Sequence, residues 1–184
     1  VTLIPIVLDF WFNEAGPDRW FTQTVEFDDI VLRRFFKLHE QAMDGRLHDW
    51  ENTADGNLAL CLVLDQFPRN MFRGTARAFA SDAEARRIAN SALARGFDKA
   101  DGMTDDRRLF FYLPFEHSES MEDQNRSCEL IATLTSRPDL LKWAEAHRSV
   151  IERFGRFPHR NDPLGRRSTE EEVAYLETEE GSKF

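Results

Sequence analysis

Leu58-Ala59-Leu60-Cys61-Leu62-Val63-Leu64 is apolar on every side of a helical turn, and Asp65-Gln66-Phe67-Pro68-Arg69-Asn70-Met71-Phe72-Arg73-Gly74-Thr75 follows it directly. So uniform a run reads as part of a central helix, Ala54 to Phe67, buried on most sides and stopped by Pro68. Upstream, Ile6 to Phe12 reads as a first buried helix with Pro5 in its first turn, ended by Gly16-Pro17-Asp18. Phe27, Ile30, Val31, Phe35, Leu38 and Ala42 recur at helical spacing, which predicts a second helix over 27–44, stopped by Gly45.

Downstream, Ser81-Asp82-Ala83-Glu84 has a capping-box pattern and opens a fourth helix to Arg95, before Gly96. A fifth is expected from Thr104 to Leu113, before Pro114, a sixth from Ser120 to Thr135, and a seventh from Pro138 to Phe154, before Gly155. Ser168-Thr169-Glu170-Glu171 offers a second capping box for an eighth helix to about Glu177. No segment alternates as a strand does. The expected fold is all-α: an antiparallel array of about eight helices in one domain, residues 1–184, with an acidic tail.

The 184 residues suffice for one sizeable core, and 16 phenylalanines give it bulk. A net charge of −9 argues against nucleic acid as a partner. The charge is uneven, since Arg153 to Arg167 holds five arginines against Asp162. Cys61 and Cys128 are far apart without a Cys-x-x-Cys, which fits a reducing, cytoplasmic compartment. Residues 3–12 are apolar but short and contain Pro5 and Asp9, so neither a signal peptide nor a membrane span is expected. The opening Val1 suggests that an initiating segment precedes it.

Short connections make sequential helices antiparallel neighbours. Counting eight, the loops after the odd helices (14–26, 68–80, 114–119 and 155–167) fall at one end. They carry Asp18-Arg19-Trp20, the Pro68–Gly74 segment, Glu116-His117-Ser118-Glu119 and Phe157-Pro158-His159-Arg160-Asn161, a near-echo of the opening motif. Glu116, His117 and His159 are the candidate acid/base residues. Asp65, Arg69, Asn70, Arg73, Arg156, Arg160 and Asn161 are the candidate ligand-binding set, because guanidinium forks suit carboxylate or phosphate. The competing structural reading has the arginines bonding helix carbonyls and acidic partners. Asp65 in particular reads as a structural ion pair with Arg69 or an arginine of the 153–167 loop. There is no zinc or di-iron spacing, no phosphate loop and no nucleophile motif, so no cofactor or metal is evident.

Three long motifs carry a resemblance: Leu64–Asn70 with Phe72–Thr75, Phe111–Glu119, and Arg153–Asn161 with Leu164-Gly165-Arg166 and Ser168-Thr169. Together with Val7–Phe12 they resemble the bacterial domain-of-unknown-function 924 family over nearly the whole chain. The resemblance implies a tetratricopeptide-like, right-handed α-α superhelix and transfers no activity or cofactor. Two functions follow as expectations. One is a pocket for an anionic small molecule at the odd-helix end, with acid/base catalysis in its reach. The other is a tetratricopeptide-like module that binds a peptide or protein without catalysis, by analogy of fold alone. Oligomeric state is not legible.

Overall fold

In the computed structural model, residues 3–181 are described. Their regular elements are all helical, with no strand among them. By packing they form two compact units: one holds the chain up to Arg73 together with Arg77–Pro114, and the other holds Gly74–Ala76 and the chain from Phe115 onward.

The first unit begins with α1 (Ile4–Asp9), which runs into a π-helical turn, Phe10–Ala15, and then α2 (Pro17–Trp20). α3 (Val25–Met43) is capped by the Thr24 hydroxyl, which accepts from the Phe27 amide at 3.3 Å. α4 (Ala54–Cys61) is capped by Thr53 and continues as a second π-helical turn, Leu62–Gln66, into α5 (Phe67–Met71). α6 (Asp82–Ala94) and most of α7 (Asp105–Glu116) complete the unit. The run 56–68 is buried at every position, as its all-apolar pattern requires. Gly56 is obligatory there: a Cβ would meet the Trp50 carbonyl oxygen at 2.0 Å.

Aromatic rings fill the core around this helix. Phe67 lies 4.6 Å from Phe35 and 5.6 Å from Trp11 between ring centroids, and Trp11 meets Phe110 edge-on at 5.6 Å. Such pairs add about 0.5–1.5 kcal/mol beyond the area they bury. The Trp20 indole donates to the Trp11 carbonyl at 2.8 Å, tying α2 to the first π-helical turn.

Two expected stops are not stops. Pro68 and Pro114 both lie inside helices. A proline removes one amide and crowds the carbonyl four residues back, which a helix tolerates if the orphaned carbonyls find other donors. At Pro68 the helix slips into π register. The Phe67 amide bonds Leu62 O, so Val63 O loses its α-helical partner, and its π partner would be Pro68, which has no N–H. His39 Nδ1 reaches Val63 O instead, at 3.1 Å. The α-helical partner of Leu64 O is also Pro68, and the Ser81 hydroxyl donates to that oxygen at 2.5 Å. This corrects the expected Ser81 capping box: its hydroxyl makes no cap bond to α6 and serves the π-helical turn after α4 instead.

The second unit contains the end of α7, α8 (Met121–Ile131), α9 (Leu141–Phe154) and α10 (Glu170–Leu176). Its core joins Val150, Ile151, Phe157 and Tyr175, with Phe154 and Leu176 against them. Gly155 takes φ +68° after α9, the left-handed conformation that ends many helices. The second capping box exists one residue later than expected, with Thr169 as cap and Glu172 reaching back.

His39 is buried, and burial, which outweighs its bond to Val63, lowers its pKa. The native ring therefore stays neutral where an unfolded histidine, near 6.5, takes a proton. The unfolded chain then binds more protons, so stability falls as pH drops below about 6.5. His39→Phe should cost about 1–3 kcal/mol by leaving Val63 O without its donor, and should flatten this pH dependence. Urea unfolding at pH 5–8 measures both.

Candidate functional site

In the first unit, the opening motif is wired into the protein itself. The Arg69 guanidinium bridges Asp82 (3.0 and 3.2 Å) and lies 3.4 Å from Asp65, while its Nη1 also donates to the Asp65 carbonyl at 2.6 Å. Burial opposes the Arg69 charge, and Asp65 and Asp82 more than offset it, so its pKa rises. Asp65 is 1% exposed, and the Gln66 amide donates to its second oxygen at 2.5 Å. Asn70 and Arg73 converge on Asp28 of α3, Asn70 at 2.8 Å and Arg73 at 2.7 and 2.9 Å. The expected loop from residue 68 is helical to Met71.

The second unit shows the same economy at the echo motif. Arg156 holds Glu172 at 2.6 and 2.8 Å and donates to the Arg167 carbonyl. Those bonds, with the Thr169 amide, hold the Glu172 carboxyl down at about 2. Asn161 donates to Ser168 and accepts from Arg166, which in turn forks onto Glu119 at 2.8 and 2.9 Å. Burial raises the Glu119 pKa, but Arg166 and the Phe157 amide outweigh it and the net shift is downward. Arg160, 6% exposed, lies 4.6 Å over the Phe157 ring and donates to the His117 carbonyl at 2.9 Å.

Three successive carbonyls at the end of α7 are thereby held by side chains. Gln124 Nε2 bonds both Glu116 O (2.6 Å) and Ser118 O (2.7 Å), and Arg160 takes His117 O between them. Residues 114–116, expected in a loop, belong to the helix. The clamped turn presents Glu116, 5% exposed, to α9, where its Oε1 lies 3.3 Å from His147 Nδ1. That nitrogen also lies 2.8 Å from the Trp143 carbonyl, which only accepts, so Nδ1 carries the proton. A neutral ring then has its basic lone pair on Nε2. His117 sits 6.3 Å from His147 between ring centroids, Phe157 5.7 Å from His147, and His159 5.6 Å from Phe157. Glu116, His117 and His159 are therefore gathered in one unit, around His147 of α9, which is not among the candidate residues named from the sequence. A helical stripe of Ala144, His147, Ile151 and Phe154 was the signal for it. No comparable signal pointed to Asp28 or Gln124. Among the described residues, no group of three or more His, Cys, Asp and Glu is placed to hold a metal ion.

Residues 7–180 match the family described as bacterial protein of unknown function, DUF924. The chain belongs to this family. It is also similar to a solved structure from Agrobacterium tumefaciens, the protein of unknown function ATU0120, with 46% identity, a TM-score of 0.86, and coverage of 95% of this chain and 97% of that one. No curated protein matches. For this DUF924 chain no helix among the described residues is long and apolar enough to cross a membrane.

The Glu172 carboxyl is depressed from its ordinary value of 4.5 to about 2. Its contribution to stability is present above pH 4.5 and is lost as pH falls through 2. Glu172→Gln should lower the melting temperature at pH 7 and remove most of that acid dependence, as followed by circular dichroism between pH 2 and 7.

Proposed function

We propose that the second unit carries an acid/base site for a small anionic molecule, centred on Glu116 and His147 with His117 and His159 around them. The observation that carries this reading is the carboxylate–imidazole contact at 3.3 Å, on a turn whose carbonyls are fixed on both sides. Nδ1–H bonded to a carbonyl sets the tautomer. Nε2 then takes a proton from substrate, and the Glu116 carboxylate stabilises the imidazolium that forms. Arg160, fixed to the His117 carbonyl, adds positive charge to the same turn. Arg156 belongs to the supporting network through Glu172, and Arg69 and Arg73 to that of the first unit through Asp82 and Asp28.

A second reading, the peptide-binding module of tetratricopeptide-like proteins, is favoured by one observation. A cavity of about 460 Å³ in the second unit is lined by Lys142, Trp143, Arg153, Phe154, Tyr175 and Glu180, among others. Neither Glu116 nor His147 lines it, and Trp143 is exposed there.

The experiment is a panel of phosphate- and carboxylate-bearing metabolites, screened by thermal shift and followed for turnover by NMR. The acid/base reading expects hits whose turnover falls about 10²–10⁴-fold in Glu116→Gln and His147→Gln, the range for loss of a general base. An empty panel, or turnover indifferent to both substitutions, overturns it. Binding without turnover that is lost in Trp143→Ala supports the peptide module instead.

A further inference from the structure

α8 and α9 pack on each other through faces that are not wholly apolar. On α8 the buried positions Gln124, Ser127 and Ile131 form one stripe, and on α9 Ala144, Arg148 and Ile151 form another, both at helical spacing. Three polar atoms in these stripes are buried and have no hydrogen-bond partner among the described residues: Gln124 Oε1, Ser127 Oγ and Arg148 Nε. Gln124 and Ser127 are both 0% exposed. Unmet polar atoms are uncommon in protein interiors, and three on two facing stripes are more so.

Arg148 also differs from four of the arginines considered above. Arg69, Arg73, Arg156 and Arg166 each fork onto a carboxylate, whereas Arg148, half-buried, has no hydrogen bond or ion pair among the described residues. It directly follows His147 in α9. Its charge is felt at Cys128, beside Ser127: burial raises the thiol pKa, Arg148 lowers it and Glu116 raises it, so guanidinium and carboxylate both act on this part of α8.

We infer that the α8–α9 seam is a binding subsite for a small oxyanion that also carries a hydroxyl, with Arg148 and Ser127 donating to the oxyanion and Gln124 Oε1 accepting from the hydroxyl. The inference rests on the anionic-ligand reading above and names its anchor. The chemistry is complementary group by group. A guanidinium and a serine hydroxyl both donate, as an oxyanion requires. The Gln124 amide has its nitrogen engaged by two carbonyls, so only its oxygen faces a further partner. A 2-hydroxycarboxylate and a hydrogen phosphate both combine an oxyanion with an O–H, while acetate lacks the donor.

The test is NMR of ¹⁵N-labelled protein, following the Arg148 Nε–Hε signal and, in every variant, the backbone amide signals of Gln124 and Ser127 during separate titrations with inorganic phosphate, glycolate and acetate. The expected result is a saturable shift with phosphate or glycolate, whichever is the source chemistry, and binding at least about tenfold weaker for acetate, the factor that one hydrogen bond of ordinary strength supplies. Ser127→Ala should weaken binding by a similar factor. Arg148→Gln should abolish it with the backbone spectrum otherwise retained, and Arg148→Lys, which keeps the charge, should restore part of it. No saturable shift with any of the three anions overturns the subsite, as does equal binding of acetate or binding unaffected in both Ser127→Ala and Arg148→Gln. Failure of the acid/base reading looks different: the Arg148 signal responds to anion while turnover is indifferent to Glu116→Gln.

Discussion

A buried carbonyl must find a donor, and much of the polar chemistry in this chain meets that constraint. Pro68 takes an amide out of a helix that is buried on every side, and the register slips to π over Leu62–Gln66. His39 and Ser81 then serve Val63 O and Leu64 O, from α3 and from the residue before α6. One missing N–H thus fixes how three helices of the first unit meet around Phe67. In the second unit the end of α7 imposes the same demand, and Gln124 and Arg160 answer it at residues 116–118.

The constraint accounts for many of the residues that hold the fold. A guanidinium forked onto a buried carboxylate has its charge balanced within the protein, and removing either partner leaves the other exposed to a desolvation cost. Arg69 with Asp82 and Arg156 with Glu172 are of this kind, and Arg73 with Asp28 and Arg166 with Glu119 repeat the pairing on half-buried carboxylates. The Glu116–His147 contact is different, because it sets a carboxylate against a half-buried imidazole, a side chain that can either donate or accept a proton. The clamp on residues 116–118 gives that contact a fixed geometry, as an acid/base pair needs.

The helices were legible because the chain states them locally. Apolar periodicity located α3, and glycine stops marked the ends of α6 and α9, where those glycines adopt the left-handed conformation of helix ends. Proline was misread twice for one reason. Its local effect, loss of an N–H, is visible in sequence, whereas the distant His39 or Ser81 that makes it tolerable is not. The same limit applies to the site. Glu116, His117 and His159 were legible as a polar cluster, but His147 is 31 residues from Glu116 and becomes its partner only through the packing of α9 against the end of α7. Asp28 and Glu172 were invisible as arginine partners because ion pairing across 45 or 16 residues leaves no local pattern.

The central claim is that Glu116 and His147 form an oriented acid/base pair, and the His147 ring reports on it directly. Long-range ¹H–¹⁵N NMR of the imidazole, titrated from pH 5 to 9, gives both tautomer and pKa. The account predicts a neutral ring protonated on Nδ1 and a pKa that drops when Glu116 is replaced by Gln, because the carboxylate favours the charged ring. A neutral ring protonated on Nε2, or a titration unchanged in Glu116→Gln, would contradict it.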